Sequence, residues 1–296
     1  MVKFHKPRSG SLQFVPHRRA KSETCKIREW PKKSGMLGFS GYKAGMVHYI
    51  FRDTNPKSAT KGRSLSAPAT IIEVPPVKVI GVNFYRKQVH GYNKVGCAKK
   101  AEDIEKTKCD FLTLLLQTQP ALAGFPKKKS EDYEIAIGGD YAAQLAIAKE
   151  RLGKTISASD IFKTGDYTDV TAVSRGHGVE GPIMKFGMKI FREKMEKSYR
   201  KPGHIGSGRT PCTTPWWGPM AGKIGYHQRT EINKMVLAIN KGLDKKEFAR
   251  YGMLGENYLI LDGSIPGPRK RLIRVKPAMR PPAKSHGLPE ILQIVV

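Results

Sequence analysis

Cysteines and long apolar runs are both scarce in this chain of 296 residues. The four cysteines are Cys25, Cys97, Cys109 and Cys212. They lie far apart and form no Cys-x-x-Cys pair, so neither a zinc knuckle nor a disulfide framework is indicated, and reduced thiols are expected. The longest apolar cluster, Phe111 to Leu116, is far shorter than the roughly 18 residues of a membrane span, and the N-terminal stretch lacks the apolar centre of a secretion signal. We therefore expect a soluble, cytoplasmic protein.

Acidic residues are the second shortage. The sequence holds 25 Asp and Glu against 53 Lys and Arg, a formal net charge of +28. Like charges in a compact fold repel one another and destabilise it. A polyanionic partner is therefore the simplest explanation of so large a surplus. A membrane surface is also anionic, but binding to it needs a helix with one basic and one apolar face, and stretches such as KPRSG, PHRRAKS and WPKKSG do not have that form. We expect a nucleic-acid partner and no membrane partner.

The charge is unevenly distributed along the chain. Residues 101–170 contain 12 acidic and 9 basic residues, so the remaining chain carries a net charge of +31. This asymmetry predicts that the acidic segment faces solvent or protein while the rest meets the polyanion. The first forty residues are basic and rich in Gly, Pro and Ser, which indicates an extension that is ordered by what it touches.

Short runs of β-branched and aromatic residues bounded by Gly, Pro or Asp predict strands of a barrel or a sandwich. These runs lie at residues 42–51, 69–87, 169–176, 257–267, 269–278 and 291–296. Helical spacing of apolar residues predicts helices at 101–116 and 140–152, so the acidic middle is interpreted as a helical insertion. A further helix is predicted after Thr230, and a short basic helix at Lys189–Arg200. Residues 202–225 show little periodicity and are interpreted as a long loop that something outside the fold holds.

Two glycine-rich stretches imitate nucleotide-binding motifs. Gly176, Gly178 and Gly181 match G-x-G-x-x-G, but no second strand with an acid follows. GHIGSGRT at 203–210 imitates a P-loop without the strand and helix that such a loop needs. The eight histidines have neither the mutual spacing nor the cysteine partners of a metal site. We therefore expect no cofactor, no metal and no catalytic residue; an RNA-modifying or nucleotide-binding enzyme is kept as the alternative, and a DNA-packaging protein as a third possibility.

Four segments together resemble a known family. GFSGYKAGMVHYI, DVTAVSRGHGVEGPIMKFG, AGKIGYHQRTEINK and GSIPGPRKRLI occur in the order found in the universal L-three family, the third protein of the large ribosomal subunit, in its archaeal form. The resemblance implies a mostly β fold with an α insertion: a closed β-barrel of the translation-protein type with long basic extensions. It also implies a non-enzymatic protein of the cytoplasmic ribosome that binds rRNA, supports early subunit assembly and touches neighbouring ribosomal proteins. Translation factors would be influenced indirectly.

The resemblance also implies a division of the chain. We expect an extension at 1–40, a barrel core at 41–95 and 165–296, the acidic insertion at 96–160, and a finger at 177–230 that reaches toward the peptidyl-transferase centre. Counting back from Gly225 places Thr210 and Pro211 where archaeal relatives carry His-Pro, so the finger tip resembles the bacterial version.

The residues expected to bind rRNA are cations that can neutralise phosphates, with rings that can stack and one threonine at the finger tip. They are Lys3, Lys6, Arg8, Arg18, Arg19, Lys32, Lys33, Lys43, Arg175, His177, Lys185, Arg200, Lys201, His204, Arg209, Thr210, Trp216, Trp217, Lys223, His227, Arg229, Arg269, Lys270 and Arg271.

Overall fold

The computed structural model describes residues 11, 17–55, 58–100, 102–106 (without the side chains of 105 and 106), 109–191, 194, 199–203, 205, 217–241, 243, 246–282 and 288–295. The chain divides into two compact units. The smaller unit comprises Met1–Lys21 and Ser174–Gln228, and the larger one comprises Ser22–Val173 and Arg229–Val296. Among the described residues, none of the helices combines the length and the apolar character needed to cross a bilayer.

The described part is mostly β. The strands are β1 (Gly35–Met36), β2 (Phe39–Arg52), β3 (Ser64–Glu73), β4 (Val77–Gln88), β5 (Gly91–Ala98), β6 (Phe111–Gln117), β7 (Asp132–Gly138), β8 (Thr155–Ile156), β9 (Tyr167–Val173), β10 (Gly176–Glu180), β11 (Gly222–Gly225), β12 (Gln228–Ile239), β13 (Glu247–Phe248), β14 (Gly252–Met253), β15 (Tyr258–Asp262), β16 (Leu272–Pro277) and β17 (Glu290–Val295). The α-helices are α1 (Glu102–Lys106), α2 (Tyr141–Arg151) and α3 (Pro182–Phe186), and 3-10 turns lie at Pro120–Leu122 and Ala158–Asp160. All six predicted strand regions contain a strand, and the region 69–87 contains two, β3 and β4, separated by the prolines that follow Val74.

The larger unit is built on a sheet with the order β16-β9-β12-β15-β3-β2-β17, in which β16 also pairs with β2. Because successive side chains of a strand point to opposite faces, neighbouring residues enter different cores. In β15, Leu259 and Leu261 join one buried cluster, whereas Tyr258 and Ile260 join the other. The sheet is therefore covered on both faces.

A second sheet of the larger unit, with the order β1-β7-β6-β4-β5, adds β8 beside β4. The side chains of Leu112, Leu114 and Leu116 in β6 are fully buried, and they share a core cluster with Val170 of β9. The two sheets thus have a common core. The predicted helix at 140–152 is confirmed by α2, which ends just before Gly153 in a left-handed conformation (φ 78°).

Two helix predictions are wrong. Among the described residues of 101–116 only α1 is helical, and β6 begins at Phe111, because alternate leucines of the run face the core while the backbone pairs with β4 and β7. The acidic segment is therefore not a purely helical insertion. The chain after Thr230 belongs to strand β12, and the Thr230 hydroxyl lies 3.0 Å from that of Thr171 instead of capping a helix. No helix is found among the described residues of 189–200.

Residues 22–37, at the start of the larger unit, form a strap that buried cations of β16 hold against the rest of that unit. The Arg274 guanidinium donates to the carbonyl of Cys25 at 2.7 Å and to that of Glu134, and it stacks on Tyr133 at 4.7 Å. The Lys276 ammonium donates to the carbonyl of Glu29 at 2.9 Å. Burial lowers the pKa of Arg274 to about 10 and also lowers the pKa of Lys276. The strap is thus part of the folded core.

The Cys25 thiol should make stability fall at alkaline pH. Burial raises the pKa of Cys25 to about 11, against the opposing effect of Arg274 and Arg271. Between pH 9.0, the ordinary thiol value, and about 11, the unfolded chain loses a proton that the folded chain keeps, so the contribution of the thiol is complete below pH 9 and is lost as the pH rises. The free energy of unfolding of the wild type relative to Cys25→Ala should fall by up to about 1.4 kcal/mol per pH unit in this window, measured by urea denaturation. A constant difference would contradict the assignment.

Candidate nucleic-acid interface

The smaller unit contains an antiparallel hairpin formed by β10 and β11. Val179 pairs with Lys223, and Gly176 pairs with Gly225. A side chain at Gly225 would meet the carbonyl of Arg175 at 2.1 Å, and its φ of 77° is also left-handed, so glycine is required there. The G-x-G-x-x-G glycines therefore lie in and beside an antiparallel strand, not in the parallel strand-loop-helix unit that binds a dinucleotide.

Residues 18–20 of the N-terminal extension are attached to the base of this hairpin. The Ala20 amide donates to the carbonyl of Tyr226 at 2.8 Å, and the Arg19 guanidinium lies 5.4 Å from the centre of the Tyr226 ring. The Gly225 amide donates to Nε2 of His227 at 3.2 Å, so Nδ1 carries the proton and donates to the carbonyl of Arg18 at 2.7 Å. His227 is buried and joins the extension to the hairpin.

Cations dominate the described surface of the smaller unit. Its only carboxylate among the described residues is that of Glu180, whereas its Lys and Arg residues are Arg18, Arg19, Lys21, Arg175, Lys185, Lys189, Lys194, Arg200, Lys201 and Lys223. All of them are exposed except Lys185, which is half-buried with its ammonium 5.3 Å from the Phe186 ring centre. His177 and Trp217 are exposed as well. The surface offers donors and positive charge together with two exposed rings.

In the larger unit, the predicted cations occupy different environments. Lys32, Lys33, Arg269 and Lys270 are exposed, and Arg229 is half-buried. Arg271 lies 3.6 Å from Glu23. Lys43 is buried and donates to the carbonyl of Ile265 at 2.7 Å, and burial lowers its pKa. Backbone hydrogen bonds between Lys43 and residues 270 and 271 bring the predicted C-terminal cluster beside β2.

Seven predicted contacts lie outside the described residues: Lys3, Lys6, Arg8, His204, Arg209, Thr210 and Trp216. Most of the P-loop-like stretch lies there too. Lys43 and His227 have intramolecular partners, and rRNA binding by any of the named residues stays a prediction.

A basic hairpin formed by β4 and β5 was not predicted from the sequence. Residues 85–100 contain five cations and no acid. The five side chains are all exposed: Arg86, Lys87, Lys94, Lys99 and Lys100. A charge count in a window ending at residue 100 would have found them.

The arrangement presents a cationic surface, which is suited to binding a polyanion. Within the described residues, no group of three or more His, Cys, Asp or Glu side chains is placed to hold a metal ion. Comparison with known families decides the relationship: the family model described as Ribosomal protein L3 matches residues 1–109 and 94–295. The chain belongs to the ribosomal protein L3 family.

Archaeal members of the L3 family are similar over nearly the whole chain. The large ribosomal subunit protein uL3 of Methanococcus vannielii is 38% identical over 99% of this chain and 97% of the relative. The uL3 of Archaeoglobus fulgidus is 38% identical over 96% of this chain and 95% of the relative. The uL3 of Methanopyrus kandleri is 38% identical over 98% of this chain and 90% of the relative. The predicted family and its archaeal form are confirmed.

Proposed function

We propose that this chain is a structural, non-enzymatic component of the large ribosomal subunit that binds rRNA in the cytoplasm. One observation carries the proposal: a unit of an L3-family protein that presents ten Lys and Arg against one carboxylate in its described part. Phosphate neutralisation with release of counterions is the interaction such a surface supports. The positive charge around the β10–β11 hairpin comes from exposed Arg18, Arg175 and Lys223. The strand pairing and the hydrogen bond from His227 to the carbonyl of Arg18 hold the backbone there.

The finer features of the family are part of this proposal. The pairing of β16 with both β9 and β2 supports a closed β-barrel of the translation-protein type. The expected division into an extension, a barrel core, an insertion and a finger is also proposed. The finger at 177–230 would reach toward the peptidyl-transferase centre, and the chain would act early in subunit assembly, beside other ribosomal proteins and with an indirect effect on translation factors.

A competition experiment tests the proposal. Labelled large-subunit rRNA is bound to the full chain on filters, and unlabelled large-subunit rRNA or duplex DNA of equal charge is added. Ribosomal RNA should compete at least about tenfold better than duplex DNA, because folded RNA presents shape and unpaired bases as well as phosphates. Equal competition would indicate a general polyanion binder. Stoichiometric calorimetric binding of a nucleotide or dinucleotide would favour the enzyme alternative instead.

A further inference from the structure

A groove with a volume of about 980 Å³ lies in the larger unit between the strap and the sheet that contains β6 and β7. Its size is at the upper end of the range of small-molecule sites, which is sufficient for a nucleotide with its flanking backbone. Of the residues that line the groove, only Lys32 and Lys33 belong to the predicted rRNA-binding set.

Aromatic side chains provide much of the groove wall. The rings of Tyr85 and Tyr92 lie 6.4 and 5.9 Å from that of Phe111, measured between centroids. Trp30 lines the groove from the strap. Tyr92 is 60% exposed, so its side chain is accessible to a ligand. Rings of this kind form stacking platforms for unpaired bases.

The groove also contains a buried polar atom that lacks a partner. Thr113 of β6 lines the groove and is only 5% exposed, and its hydroxyl has no hydrogen-bond partner among the described residues. Buried hydroxyls are nearly always paired, and this one, which solvent does not reach, would pair with a ligand in the groove after rotation of the Thr113 side chain. The edge of an RNA base carries both hydrogen-bond donors and acceptors, either of which can pair with a hydroxyl.

The electrostatic surroundings favour an anion. Arg28, Lys32 and Lys33 border the groove from the strap, and His90 borders it from the basic β4–β5 hairpin. Glu134 is the only carboxylate among the described lining residues, and its Oε2 accepts a hydrogen bond from the Tyr85 hydroxyl at 2.6 Å. The groove therefore joins stacking surfaces to cations that phosphates can reach.

The groove wall is preorganised. Arg274 and Lys276 hold the strap through the carbonyls of Cys25 and Glu29, and the Leu37 amide donates to the carbonyl of Ala136 at 3.1 Å. A site whose walls are already ordered loses little conformational entropy when the ligand binds.

We propose that this groove binds an unpaired segment of RNA, with one base stacked among Tyr92, Phe111 and Trp30 and the adjoining phosphates on the strap cations. The proposal rests on the proposed rRNA-binding function and assigns to it a separate, base-stacking site. It places RNA against part of the segment that the charge count assigned to solvent or protein, since Phe111 and Thr113 belong to that segment.

Binding of fluorescent hexa-adenylate to the full-length protein tests the groove. Tyr92→Ala should weaken binding by about tenfold or more, because it removes a stacking ring, whereas Tyr92→Phe should stay within about twofold. Tyr141→Ala is the matched control, since Tyr141 is a partly exposed tyrosine that does not line the groove. A 4-thiouridine hexamer should cross-link to Tyr92, Phe111 or Trp30. Circular dichroism verifies that the variants fold.

Two results would overturn the proposal. Equal hexamer affinity of Tyr92→Ala and wild type would mean that the bases do not stack in the groove. Tyr92-dependent binding of hexaglutamate without binding of hexa-adenylate would assign the groove to an acidic protein partner. In either case, continued binding of large-subunit rRNA by the wild type leaves the proposed function intact, and its absence would remove that function separately.

Discussion

Raising the salt concentration from about 50 mM to about 200 mM should weaken the binding of this chain to large-subunit rRNA by about 10³- to 10⁵-fold. That loss corresponds to the neutralisation of about six to ten phosphates, each of which releases condensed counterions. The ten cations of the described smaller unit can supply contacts of that number. Filter-binding titrations at several salt concentrations measure the slope of log affinity against log salt, and a flat response would contradict phosphate-dominated binding.

Two matched triple variants locate these contacts. Replacing three exposed cations of the smaller unit by Gln should reduce the steepness of the salt slope by about two to three units, whereas replacing three exposed cations of the acidic segment should change it little. The first set is Arg18, Arg175 and Lys223, and the second is Lys128, Lys129 and Lys163. Both variants lose the same net charge, so equal slopes would show that general charge, not the hairpin surface, determines binding.

Family membership and most strands could be predicted from the sequence because their signals are local. The charge surplus needs only counting, and β2, β15 and β16 have β-branched runs with clear ends. The leucine run of β6 has apolar residues at both helical and alternating spacings. Its pairing with β4 and β7 settles the conformation, and those partners are distant in the sequence.

Burial of charged and polar site residues could not be predicted for the same reason. Lys43 and His227 are typical RNA-contacting residue types, yet the Lys43 ammonium binds the carbonyl of Ile265, 222 residues away, and His227 binds that of Arg18, 209 residues away. The groove likewise combines Trp30 with Tyr92 and Phe111, which follow Trp30 by some 60 and 80 residues of chain. Only the tertiary structure brings them together.

Replacing Arg274 with Met should lower the free energy of unfolding by about 2–4 kcal/mol, because one buried and one partly buried carbonyl lose their donor. These are the carbonyls of Cys25 and Glu134. Lys78→Met, which removes an exposed cation of β4, should stay within about 0.5 kcal/mol. Guanidinium denaturation of both variants measures the difference, and equal stabilities would contradict a structural role for Arg274.

Release of the strap should also be visible at Cys25. This thiol is 2% exposed, so its reaction with a thiol reagent requires local opening, and a weaker anchor should speed the reaction about 30-fold or more. The other three cysteines are replaced by Ser in every protein compared.

Because the strap carries Trp30, Arg28 and Lys32, Arg274→Met should in addition weaken hexa-adenylate binding while leaving the steep salt dependence of rRNA binding in place. That combination would separate the groove from the surface around the β10–β11 hairpin as two RNA-binding surfaces of one chain, and an unchanged Cys25 reaction rate would show that other contacts hold the strap.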